Sequence, residues 1–358
     1  MEEKHHGGAQ YMSIVQDFDL TNLDRLLRTF TERPQALNLD TQLPVLMQAL
    51  QADHLDLLPL PGQGHTLQRW QTLARIAGCD LALAKLYEGH TDALAILAEC
   101  GAPHLVGDGV WGVWAAEPPD ARARILARHD DQVRLGGCKA WCSGALQIDR
   151  ALITAWGDDG QPQLVAIELA HPNQRIQVEQ WQAVGMATTT SVEIRFDDAP
   201  GIAVGRPGQY LQRPGFWHGG AGIAACWYGA AEALADYLRE HCRKPTPDAH
   251  AQAHLGAVDA ALYGARAALR ECAGWIDRQP TADASFEVRR TRAQVEHAVE
   301  QVIHHVGRAL GATPFCRSSH FARLSADLPV YLRQSHAERD LAALGQQLAQ
   351  VPAGAWQL

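Results

Sequence analysis

Val133-Arg-Leu-Gly-Gly-Cys-Lys-Ala-Trp-Cys-Ser-Gly144 reads as a strand running into a glycine turn, and the stretches after it share that character. Arg150-Ala-Leu-Ile-Thr-Ala-Trp156 is rich in branched and aromatic residues and stops at Gly157-Asp-Asp-Gly160. Gln163-Leu-Val-Ala-Ile-Glu-Leu169 is a third strand. Ser191-Val-Glu-Ile-Arg-Phe-Asp197 alternates strictly, with Val192, Ile194 and Phe196 on one face and Ser191, Glu193 and Arg195 on the other. That period belongs to a half-buried antiparallel strand. On both sides of this block the apolar residues recur at helical spacing. The pattern predicts an α+β chain: an N-terminal helical domain over 1–105, a central antiparallel β-domain over 106–205 and a C-terminal four-helix bundle over 206–358.

Working outward, Asp19 or Thr21 can cap a first helix whose apolar face is Leu23, Leu26, Leu27 and Phe30, and Pro34 ends it. Leu43 to Leu50 forms a second helix, followed by a loop through Pro59, Pro61 and Gly64. Residues 66–100 read as a helical hairpin closed by Gly101 and Pro103. Beyond the β-block, Phe216 to Arg239 is a long helix rich in small residues toward its start, among them Gly219, Gly220, Gly222 and Gly229. Such small residues allow close approach of another backbone or of a ligand. Ala251–Ile276, Phe286–Leu310 with Gly311 as its stop, Phe321–Tyr331 and Ser335–Leu348 complete the bundle.

The totals exclude several functions. A net charge of −9 over 358 residues gives no basic face for nucleic acid or acidic lipid. No apolar run reaches membrane-spanning length, and Met1–Gly8 lacks the apolar core of a signal peptide, so a cytoplasmic protein is expected. The eight cysteines are scattered through apolar stretches and read as reduced and buried. Cys138 and Cys142 lack the further ligands of a zinc set. Gly107-Asp-Gly-Val-Trp-Gly112 matches the dinucleotide motif G-x-G-x-x-G. That motif requires a helix opening on it, which Pro118 and Pro119 forbid. His90 reads as a packing or capping histidine. His250 with His254, and His297 with Glu300 and His304, share helix faces without a completed ligand set. The pairs Asp130-Asp131, Asp158-Asp159 and Asp197-Asp198 read as turns.

Helices, a small β-domain and a helical bundle, in that order, resemble the plan of the acyl-CoA dehydrogenase superfamily, and three motifs carry the resemblance. Ala116-Glu-Pro118 resembles the family's T-E-P turn, and Gly137-Cys-Lys-Ala-Trp-Cys-Ser-Gly144 resembles G-x-K-x-W-I-T-N-G. Gly185-Met-Ala-Thr-Thr-Thr-Ser191, continued to Phe196-Asp-Asp-Ala-Pro200, resembles G-M-R-x-S-x-T followed by F-x-D-V-x-V-P. The resemblance implies FAD. Trp141 would pack on the flavin ring, Ser143 would hydrogen-bond its polar edge, and the backbone of Trp114, Ala115 and Ala116 would run past it. A flat aromatic beside a small donor suits an amphipathic tricycle. The family completes each FAD site with a neighbouring subunit, which implies a homodimer or a homotetramer built as a dimer of dimers. Arg243 would then face the pyrophosphate, and Arg308 and Gly311 would meet the other subunit's cofactor.

The chain also departs from the family. After T-E-P the family places glycine and serine against the pyrophosphate, where this chain has Pro118-Pro-Asp-Ala-Arg122, leaving Arg122 as a substitute. The family's proton-abstracting glutamate lies in an R-D-A…Y-E-G-T segment. Anchoring on Asp327 puts Ser335 there, and anchoring on Tyr331 puts Leu332 there. The family's alternative place for that glutamate falls near Gly219-Gly220. His336 could substitute, since the ordinary histidine pKa of about 6.5 suits proton transfer near neutrality, as could Glu338 or Asp340. The expected activity is α,β-dehydrogenation of an acyl thioester or related small molecule with a non-standard base, electrons passing to an acceptor or reductase partner. A flavin-dependent monooxygenase on the same fold and a non-catalytic homologue are the other readings.

Overall fold

The computed structural model describes residues 19–32, 39–246, 248–354 and 356–357; Met1–Gly8 and Pro34 lie outside them. The chain forms two compact units, one of residues 1–60 and 82–216, the other of residues 61–81 and 217–358. No helix among the described residues is long and apolar enough to cross a membrane.

Among the described residues, the first unit opens with α1 (Leu20–Thr31). The Asp19 carboxylate caps it, accepting from the N–H groups of Thr21 and Asn22 at 2.9 and 3.0 Å, and Leu23, Leu27 and Phe30 are buried. α2 (Leu39–Ala52) is longer than its apolar pattern and holds Pro44. The stretch read as a hairpin is two helices, α3 (Thr66–Cys79) in the second unit and α4 (Leu81–Glu99) essentially in the first. Then come β1 (Trp111–Trp114), β2 (Ala123–His129), β3 (Gln132–Cys142), β4 (Arg150–Trp156), β5 (Pro162–Glu168), β6 (Gln174–Gln177) and β7 (Val192–Val204). Neighbours run β1-β4-β2-β3-β7-β5, and β5 returns to β4, so five strands close a ring with β1 and β6 outside it. The pairing is mostly antiparallel, but β1 runs parallel to β4 with Trp111 opposite Arg150. β2 and β3 intervene between β1 and β4 in the chain, so no hairpin forces them antiparallel.

The four strands read from the sequence are present, but β7 continues past Asp197 to Val204. Asp197 and Asp198 are therefore in the strand and not in a turn. The β3–β7 register steps from Leu135↔Ala199 to Gly136↔Asp197, which leaves Asp198 as a bulge with φ of 52°. A short polar side chain tolerates that conformation. β2 escaped notice because one whole face is solvent-exposed, Leu126 included, so its apolar period is weak. Trp111, Leu152, Leu164 and Val204 of the sheet pack on Ala93, Ile96 and Leu97 of α4. His90 of α4 is a packing residue, as its setting suggested. Its Nδ1 accepts from the Trp111 N–H at 3.1 Å, and its Nε2 lies 2.9 Å from the Asp56 carboxylate. The Gly107–Gly112 motif leads into β1, with no helix opening on it.

α5 (Gln209–Gln212) ends the first unit, and the second unit is a helical bundle. Its helices are α3, α6 (Gly215–Cys242, within this unit from Trp217), α7 (Ala249–Arg278), α8 (Ser285–Leu310), α9 (Ala312–Arg317), α10 (Ser319–Tyr331) and α11 (Glu338–Leu348). A Cβ on Gly229 would overlap the backbone of Ala74, so that glycine serves helix packing. Asp277 of α7 caps α3, accepting from the Thr66 N–H at 3.1 Å and the Thr66 hydroxyl at 2.6 Å. The helix expected over Ser335–Leu348 starts only at Glu338. Ser335 is drawn out of it: its hydroxyl donates to Glu296 of α8 at 2.5 Å and accepts from the Ala337 N–H at 3.0 Å.

Candidate functional site

The end of β3 breaks strand geometry. Lys139 pairs with Ile194, and the next pair is Cys142 with Val192, so Ala140 and Trp141 bulge from the ladder. Lys139 and Cys142 are both fully buried, whereas the Trp141 ring is 59% exposed. Trp141 has φ of 61°, a left-handed conformation that costs a bulky residue about 1–3 kcal/mol. The bulge reverses the side-chain alternation and turns a large flat apolar ring to solvent.

The three motif segments meet at this bulge. The Trp114 indole N–H donates to the Ser143 carbonyl at 3.0 Å, and the Gly144 N–H donates to the Thr189 carbonyl at 2.6 Å. The hydroxyls of Ser143 and Ser191 are 2.8 Å apart, and that of Thr189 lies 3.1 Å from Ser191. Met186 and Thr190, with φ of 58° and 41°, fold the turn between them. Trp114 is buried, Ala115 half-buried and Ala116 exposed. Trp114–Ala116, Trp141–Ser143 and Met186–Ser191 thus meet, with the Trp141 indole exposed and the Ser143 and Ser191 hydroxyls on half-buried residues. Neither nearby thiol is a nucleophile candidate, because burial pushes the pKa of Cys142 up and burial with Glu193 raises that of Cys138.

In the second unit Arg243 lies just past α6, exposed, with its guanidinium donating to Glu240 at 2.6 Å. Arg308 is exposed in the last turn of α8, and Gly311, with φ of 61°, stops that helix. His336 and Glu338 are exposed at the start of α11. Asp340 holds His336, accepting from its backbone N–H at 3.0 Å and standing 3.6 Å from its Nδ1. Ser335 is buried. The carboxylate it meets, Glu296, also takes the Arg333 guanidinium at 3.0 Å, so both of its oxygens are engaged. His254, read with His250, pairs instead with His305, the two Nδ1 atoms 2.9 Å apart.

The sequence reading missed the cluster beneath Trp141. Lys139 Nζ lies 2.5 Å from Glu117 Oε1 and 2.6 Å from the Thr154 hydroxyl, which also donates to Glu117. The Trp156 indole N–H donates to the other Glu117 oxygen at 2.9 Å. Burial pushes the Lys139 pKa down, and the hydrogen bond and charge of Glu117 oppose it. Arg122 lies over the Trp156 ring, its Cζ 4.7 Å from the centroid. A lysine inside an apolar strand was the available signal, since a buried ammonium requires a carboxylate. Glu117→Ala is expected to lower stability by about 3 kcal/mol, the low end for a broken buried pair because the Glu117 side chain is 24% exposed. Denaturant unfolding should show the loss, and Glu117→Leu with Lys139→Met should recover much of it. A single variant as stable as the parent would show that the pair does not hold the site.

No family model and no curated protein matches the sequence. Solved structures match over nearly the whole chain. KijD3, in complex with FMN and dTDP-3-amino-2,3,6-trideoxy-4-keto-3-methyl-D-glucose, aligns with a TM-score of 0.76 at 18% identity, covering 95% of this chain and 93% of its own. TdsC from Paenibacillus sp. A11-2, with FMN and indole, aligns with a TM-score of 0.72 at 17% identity over 96% of this chain and 98% of its own. The methanesulfinate monooxygenase MsuC from Pseudomonas fluorescens aligns at 0.70 and 18% identity, over 96% and 97%. With helical flanks, a closed central sheet and a helical bundle, the chain has the acyl-CoA dehydrogenase fold.

Proposed function

We propose that this chain is a flavin-dependent monooxygenase built on the acyl-CoA dehydrogenase fold, with the isoalloxazine lying on the exposed indole of Trp141. The observation that carries the choice over dehydrogenation is Ser335. On the Asp327 anchor the place where a dehydrogenase of this fold needs a carboxylate holds a buried hydroxyl bound to Glu296, whose second oxygen is taken by Arg333; on the Tyr331 anchor it holds Leu332, and the other place falls near Gly219-Gly220, so none of the three supplies a base. TdsC is a dibenzothiophene monooxygenase and MsuC a methanesulfinate monooxygenase, and those matches favour the same reading. A bound reduced flavin would supply the chemistry, passing one atom of dioxygen to a small-molecule substrate while the other leaves as water.

The protein's part is to hold and shield. Trp141 offers a ring face, and Ser143 and Ser191 offer hydroxyls for the flavin's polar edge. FMN fits better than the FAD first expected. Pro118 and Pro119 have no N–H to offer a pyrophosphate, and Arg122 is stacked on Trp156. The solved neighbours in complex with FMN favour this too. Arg243, Arg308 and Gly311 would reach the flavin of a second copy, and a reductase would supply the electrons. His336, oriented by Asp340, is the candidate proton donor and acceptor, with Glu338 beside it.

Two measurements test this. Flavin-loaded protein mixed anaerobically with a panel of acyl-CoA thioesters should stay yellow, and a flavin reductase with NADH should bleach it. Bleaching by a thioester alone would restore the dehydrogenase reading. In His336→Ala the reoxidation of the reduced flavoprotein by oxygen should slow by about 100-fold. An unchanged rate would remove His336 from the mechanism.

A further inference from the structure

We propose that the curled sheet carries a second binding site, for a small amphipathic organic anion, on a face remote from Trp141. A cavity of about 950 Å³ opens there, large enough for a drug-sized ligand. Cross-strand rows build it: Trp111 beside Arg150 and Arg150 beside Glu168, then Ala166 beside Ile202, Ile202 beside Gln132, and Pro200 beside Arg134. Arg128 lines the same cavity from β2. Its floor is apolar, and Ile202 is 40% exposed there, more than a side chain with a packing role alone would be.

The charge on its walls opposes that of the chain. The net charge is −9, yet the lining holds three arginines, Arg128, Arg134 and Arg150, against one carboxylate, Glu168. Their ion-pair partners are loose. Glu168 stands 3.6 Å from Arg150, Asp198 stands 3.5 Å from Arg134, and Asp131 stands 4.0 Å from Arg128. In each pair the carboxylate is the more exposed member: Glu168 is 79% exposed and Arg150 26%. Such exposed pairs hold by at most about 1 kcal/mol, so an incoming anion can displace them. The guanidinium of Arg150 sits 5.7 Å over the Trp111 ring, and Gly107 leaves room for it, because a Cβ at Gly107 would strike that guanidinium. The first glycine of the dinucleotide-like motif thus serves this arginine. A ligand that satisfies such a site has an apolar body for the floor and a carboxylate, sulfonate or phosphate for the arginines. β3 separates the site from Trp141 by roughly 20 Å of extended chain, since Arg134 is the last β3 residue in the cavity and Trp141 lies seven residues further on.

The test uses 8-anilinonaphthalene-1-sulfonate as the anionic probe and N-phenyl-1-naphthylamine as its uncharged counterpart, on the full chain with and without saturating FMN. The sulfonate should bind at one site per chain, in preference to the amine, and FMN should not displace it. Arg134→Gln with Arg150→Gln should weaken it by about tenfold or more. Ile202→Asp, which sets a negative charge on the exposed floor, should weaken it as well, with circular dichroism confirming that both variants fold. Equal binding of the two dyes, binding unchanged in both variants, displacement by FMN, or no binding of the sulfonate would each overturn the proposal.

Discussion

A lysine ammonium in the middle of a strand can stay buried only if a carboxylate is brought to it, and the face of the sheet around Trp141 follows from that requirement. Lys139 of β3 draws Glu117 down from the segment after β1, and Thr154 and Trp156 of β4 complete the cage. The backbone of Trp114–Ala116 is thereby fixed alongside β3. The β3 bulge lets Lys139 and Cys142 both point inward, and the strain it stores at Trp141 leaves the indole facing out. One desolvated charge pair and one left-handed residue thus fix the surface on which a planar cofactor would rest.

Much of this architecture was legible in the sequence, and the reasons are local. Arg150–Trp156 was read to its observed bounds because a run of branched residues ended in a Gly-Asp-Asp-Gly turn. Gly311 stopped α8 for the conformational reason expected of it. β1 and β6 are four residues each, too short to show a period, and β2 has a solvated face. Asp198 looked like a turn residue because bulges and turns select the same side chains. The start of α11 was misplaced because a long-range hydrogen bond to Glu296 decides it, and no local pattern reports such a bond.

The candidate site was legible as motifs but not as chemistry. Hydrogen bonds tie Trp114 to Ser143 and Ser143 to Ser191, so the segments that carry the three motifs converge. What they could not show was the layer beneath, because Lys139 and Glu117 each read as an ordinary polar residue until they are seen together. The same limit applies to proton transfer. Ser335 is held by Glu296, a carboxylate already engaged by that hydroxyl and by the Arg333 guanidinium, and only the folded chain shows this.

The central claim is that a flavin rests on the indole at the β3 bulge. The most direct measurement is a titration of flavin-free protein with FMN and with FAD, followed by flavin fluorescence, for the parent chain and for Trp141→Ala. The account predicts saturable binding, tighter for FMN than for FAD, and weakened by about tenfold or more when the ring is removed while the melting temperature holds. FMN that fails to bind, or that binds Trp141→Ala as tightly as the parent, would contradict it.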